Sequence, residues 1–220
     1  GVWGKSLDIR PVIASQINDL PSAAQNYVYA RGIAELESGK ITMAEEAIAT
    51  TYQHRNDHPH LIVMCGPSGS GKSSWIAKNH PDYTLVSLDE LREVFNGDRE
   101  SQANKGQILQ EAKEQLKAAL RQKQGVVWDA TNLRTDFRSV VCGLGRDYHA
   151  LVTLVVFLLP EKQLFSNNNN RRYSVANSVL MKQLDGYQLP LLNEAHQYQV
   201  IGEGGETLFR SGFYEDAEYE

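Results

Sequence analysis

Apolar runs alternate with amphipathic segments along most of the chain. The clearest run, residues 61–65, contains no polar position and predicts a strand that is buried on both faces. The segment 105–122 places Ile108, Ala112 and Leu116 on one side and charged residues elsewhere, which is typical of a helix that covers a sheet. The predicted strands are 61–65, 83–88, 125–129, 150–159 and 197–201, and the predicted helices are 72–79, 89–96, 105–122, 133–143 and 174–184.

Strands that alternate with helices predict an α/β fold, in which parallel crossovers leave a parallel sheet with helices on both faces. Residues 1–60 have a different pattern, with helical segments separated by proline and glycine. Ser22 and Thr42 each stand where the cap of a helix is expected. We therefore predict an N-terminal helical appendage over residues 1–60 and an α/β domain over residues 61–220.

The composition is that of an ordinary globular protein. The chain has 220 residues, of which 41% are hydrophobic and 22% charged, and this excludes a disordered chain. The longest apolar stretch, residues 150–160, is shorter than the roughly 20 residues that span a bilayer. A net charge of −5 excludes a global attraction to polyanions, so any contact with nucleic acid needs a local basic patch.

The ends and the cysteines indicate a cytoplasmic protein. Residues 1–5 lack the basic start and apolar run of a secretory leader. Cys65 and Cys142 form neither a disulfide framework nor a paired metal-ligand spacing, so we expect them to be packing residues in a reducing compartment. Since the chain opens without methionine, we hypothesise that it is part of a longer protein.

Residues 66–73 fit the phosphate-loop pattern G-x-x-x-x-G-K-[ST], between a predicted strand and a predicted helix. In such a loop, backbone N–H groups surround phosphate oxygens, Lys72 reaches the β- and γ-phosphates, and the Ser73 hydroxyl binds Mg²⁺. The alternative is a Gly/Ser-rich turn without a ligand. The predicted nucleotide-binding residues are Gly66, Ser68, Gly69, Ser70, Gly71, Lys72, Ser73 and Ser74.

A carboxylate and an arginine follow the second predicted strand. Asp89 and Arg92 are three residues apart, which places both on one face of the next helix. Asp89 could accept the proton of an attacking hydroxyl while Arg92 holds a phosphate of the acceptor. The alternative is that Asp89 only caps the helix and Arg92 is a solvated charge.

The third predicted strand also ends in a carboxylate. Asp129 stands where phosphate-loop enzymes place an acid near the metal or its waters. Thr131 and Asn132 either cap the following helix or face the acceptor. The neighbouring Trp128 is expected in the core, as is Trp75.

Arg171 and Arg172 follow the last long strand, in a polar segment that could close over a nucleotide and supply a cation to the transferred phosphoryl group. The alternative is a solvated basic pair. The asparagines at 167–170 predict a flexible hinge or turn. Arg134 and Arg138 could extend a path for a single strand, while Phe95 and Tyr173 either stack on a base or belong to the core, which we favour.

Taken together, these motifs resemble the 5′-hydroxyl polynucleotide kinase branch of the P-loop phosphotransferases. The resemblance rests on residues 66–73, Ser87-x-Asp89-x-x-Arg92, Asp129-x-Thr131-Asn132, an arginine-bearing lid and residues 190–195. It spans about residues 61–201 and implies a P-loop kinase fold with a helical lid. Members of this branch are end-healing enzymes of RNA or DNA, often joined to a ligase or phosphatase module.

The resemblance implies a role for each matching residue. Lys72 and Ser73 would contact the triphosphate and Mg²⁺, Asp89 would be the general base on a ribose 5′-OH, and Arg92 would contact a phosphate of the acceptor. Asp129, with Thr131 and Asn132, would organise the metal side and the acceptor side. Either Arg171 or Arg172 would be the lid arginine, because the two are adjacent here, whereas family lids often space arginines one turn apart.

The implied reaction transfers the γ-phosphate of ATP or GTP to a single-stranded 5′-OH end with Mg²⁺. Two other functions stay open: a kinase that phosphorylates a hydroxyl of a small molecule, and a non-catalytic NTP-binding module. Neither the preferred nucleotide nor the choice between RNA and DNA follows from the sequence. His54, His58 and His60 fit a linker before the first strand better than a metal site.

Overall fold

The computed structural model describes residues 9–218, so the predictions for residues 1–5 lie outside the described part. Three helices come first: α1 (Arg10–Gln16), α2 (Ser22–Glu37) and α3 (Ala44–Thr51). The strands are β1 (His60–Cys65), β2 (Thr84–Ser87), β3 (Gly125–Asp129), β4 (Leu151–Phe157), β5 (Gln197–Ile201) and β6 (Thr207–Ser211). The other helices are α4 (Lys72–Asn79), α5 (Leu88–Asn96), α6 (Lys105–Arg121), α7 (Thr135–Asp147), α8 (Glu161–Asn170) and α9 (Asn177–Asp185).

The strands form one sheet in the order β2-β3-β1-β4-β5-β6, and the first five are parallel. The added strand β6 is antiparallel to β5. The predicted α/β fold with a mainly parallel sheet is therefore confirmed. β6 was not predicted, because its short sequence is exposed and lacks the apolar run by which the buried strands were found.

Helices cover both faces of this sheet, as the sequence predicts. Successive residues of β1 point to opposite faces, so Leu61 packs with α6 and α7 while Ile62 packs with Trp75 of α4. Trp128 is fully buried on the side of α6, and both cysteines are buried. The predicted core positions of the two tryptophans and the two cysteines are confirmed.

The first three helices enclose an apolar cluster of their own around Ile13, Val28 and Tyr29. Ala217, near the end of the described chain, belongs to the same cluster. Tyr27 donates a hydrogen bond to the backbone carbonyl of His149, just before β4. The appendage is thus helical as predicted, and it contacts the sheet where β4 begins; its boundary at residue 60 stays a prediction.

Within residues 9–218, no helix combines the length and the apolar character needed to cross a membrane.

Candidate active site

Three adjacent strands bring the predicted site residues to one edge of the sheet. The phosphate loop follows β1, Asp129 ends β3, and Asp89 comes two residues after the end of β2. Ser87 is the register partner of Asp129, so β2 and β3 end side by side. The site therefore lies at the carboxyl ends of parallel strands, which is where ligands bind in sheets of this kind.

The phosphate loop adopts a conformation that requires glycine at two positions. Gly69 has φ +81°, and a Cβ there would stand 2.8 Å from the carbonyl oxygen of Leu164. Gly71 has φ +94° and precedes the first residue of α4. The Lys72 ammonium donates to the carbonyls of Gly66 at 2.9 Å and Pro67 at 3.0 Å. Lys72 is thus held across the loop at the N-terminus of α4, a position suited to phosphate.

Lys72, Asp89 and Asp129 influence one another electrostatically. Burial lowers the pKa of Lys72, while the carboxylates of Asp129 and Asp89 counteract this by favouring the ammonium form. Burial raises the pKa of Asp129, Lys72 opposes that rise, and the charge of Asp89 adds to it. The predicted triphosphate, metal and base residues therefore share one electrostatic site.

Asp89 and Arg92 form an ion pair on the first turns of α5. The Asp89 side chain is 54% exposed, so its carboxylate is accessible to a substrate, whereas that of Arg92 is 25% exposed. The cap of α5 is Ser87, whose hydroxyl accepts from the N–H of Glu90. The alternative in which Asp89 only caps the helix is therefore wrong.

The turn after β3 connects to the phosphate loop. The carbonyl of Thr131 accepts from the Gly66 N–H at 2.9 Å. Asn132 is buried at φ +47°; its amide donates to the Met64 carbonyl at 2.6 Å and accepts from the Trp128 indole at 3.3 Å. Because α7 begins only at Thr135, the alternative in which Thr131 or Asn132 caps the helix is wrong.

Arg138 is fully buried, so the prediction that it lines a path for a single strand is wrong. Its guanidinium forms an ion pair with Glu194, with contacts of 2.7 and 3.1 Å, and donates to the Asn132 carbonyl at 2.9 Å. Arg138 thus holds the turn after β3. This role could not be predicted from the sequence, because an amphipathic helix usually turns its arginines to solvent.

Helix α8, the segment 171–176 and helix α9 make up the arginine-bearing region that the sequence predicts to be a lid, and we call this region the lid. The positive charge of Arg171 contributes to lowering the pKa of Lys72, whereas the guanidinium of Arg172 lies 5.1 Å from the centroid of the Tyr173 ring. The two adjacent arginines therefore differ in their surroundings: the charge of Arg171 acts on Lys72 of the phosphate loop, and Arg172 lies against Tyr173.

The predicted hinge at residues 167–170 is wrong, because these residues form the last turn of α8. Asn167 donates to the Gly69 carbonyl at 3.0 Å. Asn168 is buried, and its amide bonds both the carbonyl and the N–H of Val175. Tertiary hydrogen bonds thus outweigh the weak helix propensity of asparagine.

A second lid contact escaped the sequence analysis. The side-chain carbonyl of Gln183 in α9 accepts from the Ser68 N–H at 2.8 Å, so the lid reaches the phosphate loop directly.

The expected core positions of Phe95 and Tyr173 are wrong, since these side chains are 42% and 40% exposed.

Two residues of the site suit Mg²⁺ that is bound together with a nucleotide. The Ser73 hydroxyl and the Asp129 carboxylate are oxygen donors, which this cation prefers, and Mg²⁺ usually takes its other ligands from water and substrate phosphates. Across residues 9–218, no three His, Cys, Asp or Glu side chains are grouped as metal ligands. The two oxygen donors of Ser73 and Asp129 fit a metal that takes its remaining ligands from the nucleotide and from water.

Comparison with known proteins places this site in a family. The sequence model of the family described as "AAA domain" matches residues 61–190, and no curated protein matches the chain. Among solved structures, a chain of the Pnkp1/Rnl/Hen1 RNA repair complex has a TM-score of 0.51 and 22% identity. That match covers 59% of this chain and 44% of the other, so the chain spans less than half the length of that relative.

Small kinases are similar to the same degree. A putative kinase from Chloroflexus aurantiacus has a TM-score of 0.54 at 16% identity, covering 66% of this chain and 86% of the other. A sugar kinase from Janibacter sp. HTCC2649 has a TM-score of 0.51 at 16% identity, covering 67% and 87%. At these identities the similarity shows the fold, which is that of the P-loop kinases.

Proposed function

Because the chain belongs to the AAA-domain family and has the fold of P-loop kinases, we propose that it is a polynucleotide 5′-kinase of nucleic-acid end healing. The donor is ATP or GTP, and the acceptor is a single-stranded 5′-OH end of RNA or DNA. The observation that carries the proposal is the exposed Asp89 carboxylate, paired with Arg92 and electrostatically coupled to Lys72.

The reaction assigns one task to each of these groups. The 5′-oxygen attacks the γ-phosphorus in line, the bond from the γ-phosphorus to the β–γ bridging oxygen breaks, and the nucleoside diphosphate leaves. Asp89 accepts the proton of the 5′-OH, and Arg92 pairs with a phosphate of the acceptor. Since Arg92 already contacts Asp89, one guanidinium can align both the base and the acceptor.

Lys72 and Arg171 supply positive charge where negative charge develops on the transferred phosphoryl group. Mg²⁺, held by the Ser73 hydroxyl and close to Asp129, would neutralise charge on the triphosphate when bound. The backbone N–H groups of the phosphate loop and the start of α4 orient the phosphates. Asn132, which is buried, keeps the turn after β3 against the loop, while the backbone of Thr131 bonds Gly66 and its side chain stays an expected contact of the acceptor.

A ligase that joins the phosphorylated ends, or a phosphatase that acts on the opposite 3′ ends, belongs to this proposal, because the 5′-phosphate formed is the group that a joining reaction consumes. The similarity to a chain of an RNA repair complex supports this assignment.

The test is γ-phosphate transfer to a 5′-OH oligonucleotide by Asp89→Asn and Arg92→Ala. We expect Asp89→Asn to lower kcat by about 10²- to 10⁴-fold, as loss of a general base does, with little change in the affinity for ATP. Arg92→Ala should raise KM for the oligonucleotide. The matched control is Asp82→Asn, an exposed carboxylate before the opposite end of β2.

Equal activity of Asp89→Asn and Asp82→Asn would contradict the role of Asp89. The same carboxylate could deprotonate an alcohol of a small molecule, so sugars and nucleosides are assayed as acceptors in parallel. Transfer to them but not to oligonucleotides would replace the polynucleotide assignment with the small-molecule one. Binding of NTP without transfer to any acceptor would indicate a non-catalytic module.

A further inference from the structure

The segment between α5 and α6 meets the lid at a single aromatic side chain. The guanidinium of Arg99 lies 4.4 Å from the centroid of the Tyr173 ring, and that of Arg172 lies 5.1 Å from it. Arg99 comes from the segment that follows α5, whereas Arg172 and Tyr173 come from the lid. Two cations and one aromatic ring, from two separate parts of the chain, thus form one group, which we call the Arg99–Tyr173–Arg172 stack.

This stack begins next to the proposed general base. Arg99 donates to Glu93 at 2.6 Å and lies 3.8 Å from the carboxylate of Glu90, the residue that follows Asp89. The hydrogen bond that Arg99 donates to Glu93 raises the pKa of Arg99 most, and the charge of Asp89 adds to the rise. Arg99 is therefore fixed in position beside α5, close to the proposed general base.

The stack is accessible to a ligand. Tyr173 is 40% exposed and Arg172 is exposed, while the side chain of Arg99 is 25% exposed. A buried ring would indicate a packing contact between the lid and the domain, but this ring keeps free surface beside two guanidinium groups. Aromatic rings that stack on bases, combined with cations that follow the backbone, are the means by which proteins bind single-stranded nucleic acid.

We propose that the Arg99–Tyr173–Arg172 stack is a second acceptor subsite, which binds the phosphodiester and the base behind the 5′-terminal nucleotide. The inference rests on the proposed function and deepens it by naming what selects a polynucleotide. Tyr173 stacks on the base, and the two guanidinium groups pair with the phosphodiester. A mononucleotide occupies only the part of the site near Asp89 and Arg92, so it gains nothing from the stack.

Binding is measured with a fluorescent single-stranded 5′-OH hexanucleotide and with a nucleoside 3′-monophosphate, on the intact chain without turnover. We expect Tyr173→Leu to weaken hexanucleotide binding about 5- to 100-fold, because stacking on one aromatic ring contributes that much. Tyr173→Phe should retain the affinity, since it keeps the ring. Binding of the monophosphate and of ATP should be unchanged in both variants.

A second variant and a matched control test whether the loss of hexanucleotide binding is specific to the stack. Arg99→Ala should weaken hexanucleotide binding and reduce its dependence on salt, because a phosphate contact is lost. The control is Tyr52→Leu in the appendage, where Arg55 lies 4.3 Å from the ring in the same kind of pair. Tyr52→Leu should leave hexanucleotide binding unchanged.

Unchanged hexanucleotide binding by Tyr173→Leu would overturn the subsite. An equal loss of affinity for the hexanucleotide and for ATP would also overturn it, because the stack would then only stabilise the lid. A wild-type protein that binds the hexanucleotide through Tyr173 but does not phosphorylate it would contradict the proposed function and leave the subsite standing. Phosphorylation of the hexanucleotide with a KM that Tyr173→Leu does not alter would contradict the subsite and leave the proposed function standing.

Discussion

A buried ion pair holds the turn after β3 in place. Arg138 is inaccessible to solvent and Glu194 nearly so, with side-chain exposures of 0% and 13%. Arg138 also donates to the carbonyl of Asn132, and Glu194 accepts from the N–H of Leu191. The pair therefore joins the turn after β3 to the segment that leads into β5.

We predict that Arg138→Met destabilises the protein by about 3–5 kcal/mol, because it leaves the carboxylate of Glu194 buried without its partner. Unfolding in urea measures the free energy. Arg134→Met is the control: Arg134 pairs with Asp136 on the surface, and a loss there should cost at most about 1 kcal/mol. An equal cost for the two variants would show that the buried pair has no special role.

Some positions in the site could be predicted from the sequence alone, and others could not. Lys72 follows β1 through the phosphate loop and Asp89 comes two residues after β2, so their place at the sheet edge could be deduced from the order of strands and helices. The bonds of Asn132 and Arg138 join segments far apart in the chain, and nothing in their local sequence distinguishes them from surface polar residues. The difference between Arg171 and Arg172 likewise depends on tertiary contacts.

The lid is the element in which the sequence was least informative. Helix α8 ends in four asparagines, a pattern that predicts a turn, and their bonds with Gly69 of the phosphate loop and with Val175 explain why it stays helical. Strands β1 and β4 were recognised because continuous apolar runs are typical of central parallel strands. Apolar patterning thus located the interior elements, whereas elements stabilised by polar contacts were missed.

The contact between α9 and the phosphate loop leads to a prediction about nucleotide binding. Gln183 occupies the Ser68 N–H, a donor in the loop that a phosphate oxygen could use. Gln183→Ala should therefore lower Kd for ATP by about two- to fivefold, since net hydrogen bonds of this kind contribute about 0.5–1 kcal/mol. Calorimetric titration measures this Kd, and Lys182→Ala, a substitution of the neighbouring residue, is the control. A weaker affinity in Gln183→Ala would show that the contact supports nucleotide binding.

At the level of the entire chain, histidines line the contact between the appendage and the start of the sheet. His58 stacks on Tyr27 of α2 at 4.1 Å, and His54 stacks on His149 at 4.0 Å. His60 bonds Tyr83 at 2.7 Å and Thr153 at 2.8 Å. His54 and His58 thus take part in the contact between the appendage and the sheet domain, whereas His60 ties the start of β1 to its neighbours within that domain.

These contacts predict a loss of stability in mild acid. Burial lowers the pKa of His60 to about 3, with the charges of His80 and His58 adding to the effect, and burial also lowers the pKa of His58. In the unfolded chain these imidazoles take up protons near pH 6.5, so the unfolded state binds more protons below that pH. The free energy of unfolding should fall as the pH drops from 7 to 5, by up to about 1.4 kcal/mol per pH unit for each imidazole.

Urea unfolding at pH 8, 7, 6 and 5 checks this prediction. His60→Gln should reduce the slope of stability against pH below 6.5, because one proton-binding group of the unfolded chain is removed. A free energy of unfolding that is the same at pH 5 and pH 7 would contradict the role given to the buried histidines.

The most direct test of the proposed activity is the chemical position of the transferred phosphate. The protein is incubated with Mg²⁺, γ-labelled ATP or GTP, and 5′-OH RNA or DNA, and the product is digested to mononucleotides. We predict that the label is recovered as the 5′-phosphate of the first nucleotide, and that Asp89→Asn abolishes it. Label that never enters an oligonucleotide, while ATP is bound, would contradict the assignment as a polynucleotide 5′-kinase.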